Sequence, residues 1–294
     1  MGSLNLDIVV SVPHHPAPGE TVLGSDHARH PGGKGANQAV AAARLGASVA
    51  MVGRVGDDDA GRLLLGALVD AGVDASAVLV TEEAPSGIAL ITVDDTGENA
   101  IVVSPGANSR VSVSDVEAAV DVLRAASVVL LQLETPFEAV ERAASLASGT
   151  VILNPAPAAE LPPSLLKEMD VLVPNRAELE RLSGETDPAA AARSLHPARV
   201  IATLGSEGAL VVSEEGVETI PGHEVQSVDT TAAGDCFCGA LAAGLDRGLD
   251  LTAAARRANA AAALSTTRAG AQPSLPSSAE VDDFFVTNRG RRGW

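Results

Sequence analysis

Aromatic side chains are nearly missing from this chain: its 294 residues include four Phe, one Trp and no Tyr. Its core must therefore be built from Ala, Val and Leu. Bases are also scarce, with 20 Lys and Arg against 38 Asp and Glu and a formal charge of −18. Such a surface repels a phosphate backbone or an anionic bilayer, so neither nucleic acid nor a membrane is an expected partner. No run of about 18 apolar residues occurs, and no charged-then-apolar leader, which makes a soluble, cytoplasmic protein the expectation. The only cysteines, Cys236 and Cys238, have no His cluster to share a metal with and are read as small core residues.

What remains is rich in order. A chain of this length can bury one large core, so a single α/β domain over 1–285 with a small appendage is expected. Continuous apolar runs at Val128–Leu131 with Leu133, Val151–Leu153, Val171–Val173 and Val200–Ala202 read as strands buried on both faces. Helix-forming stretches at 136–148 and 176–195 alternate with them, and Pro and Gly mark the breaks. The alternation predicts a doubly wound, mostly parallel sheet flanked by helices, with ligands at the carboxyl ends of the strands. Residues 8–30 and 86–104 are strand-like but polar-edged, the second with a hairpin signal at Asp94-Asp95-Thr96-Gly97. They predict a small β-sheet lid over a site. There is no internal repeat, and 286–294 is expected to be a flexible tail.

The run Asp229-Thr-Thr-Ala-Ala-Gly-Asp235 stands at the mouth of a helix whose apolar positions Phe237, Ala240, Leu241, Gly244 and Leu245 recur at helical spacing, with Gly248 as its stop. Ala232, Ala233 and Gly234 then fall where backbone N–H groups are unpaired and the helix dipole favours negative charge. Small side chains let an anion reach that backbone, and Asp235 can serve as a base toward whatever attacks it. The arrangement suits phosphoryl transfer.

Gly32-Gly33-Lys34-Gly35-Ala36-Asn37 opens an alanine-rich helix. It is a plain strand-to-helix turn or a place where backbone approaches a ligand, with Asn37 offering a donor and an acceptor. It is not a Walker A loop, because no Ser or Thr follows its Gly-Lys pair. Asn5 and Asp7 either end a turn or bond neighbouring sugar hydroxyls. Glu134 follows a strand at the ligand edge. Asn175 and Glu178 form either a helix cap or the carboxylate end of a Mg²⁺ site. Thr203-Leu204-Gly205-Ser206-Glu207-Gly208 is a turn suited to close passage of a nucleotide.

In this order the segments resemble the ribokinase family of sugar kinases, the group that also holds the phosphofructokinase-B type enzymes. The likeness runs from Gly2 to about Phe284 and rests on two signatures, Gly-Gly-Lys-Gly-Ala-Asn-Gln-Ala and Asp-Thr-x-Ala-Ala-Gly-Asp. It implies ATP-dependent phosphorylation of D-ribose at its 5-hydroxyl. Asp235 then matches the catalytic base, and Ala232, Ala233 and Gly234 the anion hole. Asn5, Asp7, Gly33, Lys34, Asn37 and Glu134 match the sugar positions. Asn175, residues 203–208, Gly234 and Asn259 match the nucleotide side, and Glu178 the acid that organises Mg²⁺. A monovalent cation, K⁺, is implied at Asp229 and Ser274 with the carbonyls of Thr231, Ser265, Arg268 and Gly270. A homodimer through the lid strands is also implied.

Relatives carry a buried strand just ahead of Gly-Ser-x-Asn-x-Asp. Either that strand lies upstream of Met1 or the sheet lacks it, leaving backbone groups unpaired at about 1–3 kcal/mol each. A version with upstream residues is expected to be more stable. Nucleoside kinases need aromatic surface in the lid, and segments 8–30 and 86–104 have none. Phosphosugar kinases need extra cations, and those segments offer only Arg29. Deoxyribose remains an alternative substrate, and a non-catalytic sugar-binding protein is the alternative of another class.

Overall fold

Residues 1–195 and 199–289 are described by a computed structural model. The strands are β1 Asn5–Ser11, β2 Ala28–Gly32, β3 Ala50–Gly56, β4 Asp74–Thr81, β5 Gly87–Val93, β6 Asn99–Ser104, β7 Val128–Leu131, β8 Thr150–Leu153, β9 Val171–Leu172, β10 Val200–Thr203, β11 Gly208–Ser213 and β12 Gly216–Pro221. The helices are α1 Lys34–Arg44, α2 Asp59–Asp70, α3 Val113–Ala118, α4 Val120–Ala125, α5 Phe137–Leu146, α6 Pro163–Lys167, α7 Arg176–Ser183, α8 Pro188–Ser194, α9 Ala233–Asp246, α10 Leu251–Ser265, α11 Ala271–Ser274 and α12 Ser278–Arg289.

The main sheet runs β12-β11-β10-β9-β8-β7, parallel from β7 to β10 and antiparallel beyond. Successive side chains of a strand point to opposite faces. Accordingly Ile152, Val171 and Ile201 join the core under α1, α9 and α10, while Val151, Leu153, Leu172, Val200 and Ala202 join the core under α5 and α8. Covering both faces is what makes these strands continuous apolar runs. With so few aromatics, the helices close on small residues: a side chain at Gly239 of α9 would come within 2.6 Å of Ala41 in α1. Cys236 and Cys238 are buried there, and burial pushes the Cys236 thiol up to about 12 and that of Cys238 up as well, so both stay protonated.

The lid is the four-stranded sheet β2-β1-β5-β6. Asp94 to Gly97 turns β5 into β6, the N–H of Gly97 donating to Asp94 O at 2.9 Å with Gly97 at φ +84°. Residues 12–27 lie outside regular strands, and β1 begins at Asn5, so Asn5 and Asp7 sit in the lid's inner strand rather than before it. The helix-forming stretch 176–195 holds two helices: Gly184 takes a left-handed φ of +74° after α7, and Pro188 starts α8. Of the expected tail, 286–289 prolong α12, and 290–294 lie outside the described residues.

The main sheet ends at β7. Across from its free edge stands β3, which pairs with β4 alone. Between them is a slot of about 440 Å³ lined by Met51, Val52, Val128, Leu130, Ala39 and Leu123 among others. Met1 and Gly2 close one end of it. The Met1 amino group donates to Leu130 O at 3.0 Å, and the Gly2 N–H to Val52 O at 3.1 Å.

Candidate active site

The carboxyl ends of β7, β8, β9 and β10 meet the start of α1, the start of α9 and the lid. Gly33 leads into α1 with φ +89°, and a Cβ on it would lie 2.6 Å from the Asn5 nitrogen, so only glycine fits. The turn aims Asn37 and Gln38 at α9. Asn37 Nδ2 donates to Asp235 Oδ2 at 3.0 Å, and Gln38 Nε2 to Asp235 Oδ1 at 2.9 Å. The Oδ1 of Asn37 is buried without a partner, an acceptor available to a ligand hydroxyl.

Asp235 lies in the first turn of α9 behind Ala232, whose φ of +58° makes it the only non-glycine residue with a positive φ among those described. That conformation costs about 1–2 kcal/mol in a residue with a Cβ, and such strain collects at functional sites. The N–H of Ala233 is engaged with Thr230 O at 3.2 Å, whereas those of Ala232, Gly234 and Asp235 make no protein hydrogen bond among the described residues. Three unpaired donors therefore stand together at the helix mouth, where the helix dipole favours negative charge.

Burial raises the Asp235 carboxyl, and the nearby Lys34 ammonium and the two amide donors pull against it. Burial, then Glu134 and Asp235, push Asp7 up to about 7. Burial works against the Lys34 charge, but Asp235, Glu134 and Glu178 outweigh it and hold that group above its ordinary value. Glu134 Oε2 accepts from Ser3 Oγ at 2.5 Å and from the Lys34 N–H at 3.3 Å. Asn5 Oδ1 accepts from Asn108 Nδ2 at 2.8 Å, and Asn108 Oδ1 accepts from the Leu4 N–H at 2.9 Å. Asn5, Asp7, Gly33, Lys34, Asn37, Glu134 and Asp235 are thus drawn into one cluster, in which three carboxylates surround a single ammonium.

On the neighbouring side, Asn175 bridges to Thr203, whose N–H donates to Pro174 O at 2.9 Å. Leu204 N–H donates to Gly208 O at 2.8 Å across the turn of Gly205, Ser206 and Glu207. Gly205 and Gly208 hold φ of +62° and +102°, and Asn259 Nδ2 donates to Pro221 O at 3.0 Å. Glu178 and Asn175 cap α7 reciprocally at 2.8 Å, so Asn175 Oδ1 and Glu178 Oε2 are committed to the helix. Glu178 Oε1 is left, and burial raises this group most, with Asp235 adding and the Asn175 N–H and Lys34 opposing.

Asp229 is tied to the loop beside the mouth, accepting from the N–H of Thr231 and of Gly270 at 2.8 Å each. Burial opposes this and the hydrogen bonds win, so its carboxyl stays below the ordinary range. Ser265 ends α10 and Ser274 ends α11, both fully buried, and Asp229 is joined to the stretch between them by Gly270 and by donating its own N–H to Thr266 O at 3.1 Å. A carboxylate, a hydroxyl and carbonyls make an all-oxygen set that suits a hard cation. No group of three or more His, Cys, Asp or Glu fit for a metal is found among the described residues.

Sequence reasoning missed Ser3, Gln38, Asn108, Gln132 and Asn154. Only Gln38 carried a usable signal, as the residue after Asn37 on the same helical turn.

Residues 1–278 match the profile of the pfkB family carbohydrate kinases. The chain is 40% identical to a ribokinase of Haemophilus influenzae over 97% of both chains. Among solved structures it is similar to a ribokinase from Thermotoga maritima, with a TM-score of 0.92, 38% identity and 97% of each chain covered. It is also similar to an Arabidopsis thaliana ribokinase complexed with ribose and ATP, with a TM-score of 0.88, 34% identity and 96% of each chain covered.

Proposed function

The chain belongs to the pfkB family of carbohydrate kinases, and from that premise we propose that it transfers the γ-phosphoryl group of ATP to the 5-hydroxyl of D-ribose. One observation carries the reading: a buried carboxylate, held by two amides, lies beside three free helix-mouth N–H donors. Asp235 takes the proton of the attacking hydroxyl as its bond to phosphorus forms. The N–H groups of Ala232, Gly234 and Asp235 receive the negative charge that spreads over the transferring group. Asp7, Asn5, Asn37, Lys34 and Glu134 hold the sugar, and the unpartnered Asn37 oxygen supports that assignment. The turn at 203–208, with Asn175 and Asn259, borders the nucleotide, and the lid keeps out water that would otherwise consume ATP.

Mg²⁺ on the ATP phosphates would neutralise charge, and Glu178, through its uncommitted oxygen, is the residue to organise it. A K⁺ ion held by Asp229, Ser274 and the carbonyls of Thr231, Ser265, Arg268 and Gly270 would strengthen the field at the mouth. The edge strand β6 exposes Ile101, Val102 and Val103 at 53%, 66% and 44%, which supports a homodimer through the lid. No helix among the described residues is long and apolar enough to cross a membrane, and a cytoplasmic setting is part of the proposal.

ADP release measured with D-ribose, 2-deoxy-D-ribose and nucleosides tests the reading. Ribose should support turnover best, and Asp235→Asn should lose about 10²–10⁴-fold in kcat. Turnover independent of ribose, or unchanged in the variant, would overturn it.

A further inference from the structure

Behind Asp235 lies a chain of carboxamides. Gln38 from α1, Gln132 after β7 and Asn154 after β8 meet there, with Gln38 and Gln132 almost fully buried. Gln38 Nε2 donates both to Asp235 Oδ1 at 2.9 Å and to Asn154 Oδ1 at 3.2 Å, while Gln38 Oε1 accepts from Gln132 Nε2 at 2.5 Å. Asn154 Nδ2 donates in turn to Val173 O at 2.9 Å.

The oxygen and nitrogen of a carboxamide are nearly the same size, so its orientation follows from its partners. Here the partners allow one answer. Val173 O is a main-chain carbonyl and only accepts, so it must face the NH₂ of Asn154. The Asn154 oxygen then faces Gln38, which must answer with its own NH₂. The NH₂ of Gln132 holds the Gln38 oxygen on the other side. A carbonyl at the end of β9 thus decides, through two amides, that Asp235 Oδ1 meets a donor. That donor cannot turn into an acceptor when Asp235 gains a proton.

We propose that Gln38 is the positioning residue of Asp235, fixed by Asn154 and Gln132 so that it holds the carboxylate in one orientation and favours the ionised, proton-accepting form. The proposal rests on Asp235 being the base. With Asn37 on Oδ2 and Gln38 on Oδ1, a proton arriving from the substrate has to use the remaining lone pairs, and the amide donors offset the burial that works toward protonation. The titratable groups facing Asp235 are Lys34 at the start of α1, Asp7 on β1, Glu134 after β7, Glu178 on α7, and Cys236 and Cys238 in α9. All of them stay in place when a single amide is removed.

The test is the pH profile of kcat for wild type, Gln38→Leu and Asn154→Leu, with Tm recorded for each. Gln38→Leu should move the acid limb upward by about one pH unit, so that kcat at a fixed pH on that limb falls about tenfold, the size of one lost hydrogen bond to a charged group. KM for the sugar should change less than kcat. Asn154→Leu does not touch Asp235 and should shift the limb in the same direction by less. If Gln38→Leu does not fold, Asn154→Leu carries the test. An acid limb that stays put in a folded variant, or a loss that falls wholly on KM, overturns the proposal. Asp235→Asn run alongside separates the two ideas. Turnover retained there removes the base, whereas a dead Asp235→Asn with an unmoved Gln38→Leu limb removes only the role of Gln38.

Discussion

Asp7 shows how the acidic cluster around Asp235 stores unfavourable charge in the ligand-free chain. Its carboxyl is raised from an ordinary 3.8 to about 7 by burial, then by Glu134 and Asp235. A raised pKa means that the folded chain holds this proton more tightly than the unfolded one. The associated stability is therefore full below about pH 4 and lost as pH rises toward 7. The difference corresponds to about 4 kcal/mol at most. Ligand-free protein should thus lose stability from this group between pH 4 and 7, and Asp7→Asn should flatten that part of a Tm-against-pH curve. Asp235 and Glu178, also raised, keep a residual slope of the same sign. A variant curve parallel to wild type would refute the assignment. Asp7, Asn37, Glu134 and Asp235 were legible in the sequence because charged or amide groups beside glycine turns and strand ends declare their chemistry by type. Ser3, Asn108 and Asn154 were not, because each acts through a partner about a hundred residues away, and no local pattern records such a contact.

At the scale of elements, the strands of the parallel sheet were legible from their apolar runs, and α9 from its periodicity and its Gly248 stop. The break between α7 and α8 was signalled by Gly184 and Pro188 but lost inside a helix-forming composition. The backbone of Ala232 left no trace, since alanine gives no hint of a left-handed φ. That turn sets the direction of the first N–H groups of α9, so its strain belongs to the anion mouth. Ala232→Gly relieves the Cβ contact, worth about 1–2 kcal/mol, and gives back about 0.5–1 kcal/mol of backbone freedom. Thermal melting of the ligand-free protein should show Ala232→Gly equal to wild type or up to about 1.5 kcal/mol more stable. Ala232→Val, β-branched at the same φ, should be less stable than either. The glycine variant should not gain kcat, because a looser turn holds the donors less firmly. A glycine variant clearly less stable than wild type would show that Ala232 is not strained there.

For the whole molecule, the slot between β3 and β7 is where the sheet is discontinuous. Its two sides are strand edges, its floor and roof are helices, and the N–H groups of Met1 and Gly2 already bond to opposite sides of it. Alternation of donors between two flanking strands is the pattern of a strand lying between them. The slot also encloses the Met1 amino group. Burial lowers the Met1 ammonium from an ordinary 8.0 to about 6. A lowered amine pKa contributes stability above about pH 8 that is lost as pH falls through 6, the opposite sign to Asp7, and worth about 3 kcal/mol at most. Fusing five or six apolar, β-branched residues to Met1 should therefore act twice, by turning the ammonium into a peptide group and by filling the slot with paired backbone and buried side chains. A Gly/Ser extension of equal length changes only the first. Melting curves at pH 6 and 8 separate the terms. Both extensions should flatten the dependence on pH, and the apolar one should melt at least about 5 °C above the Gly/Ser one at either pH, as a gain of a few kcal/mol requires. Equal melting of the two extensions would mean that the slot does not take a strand.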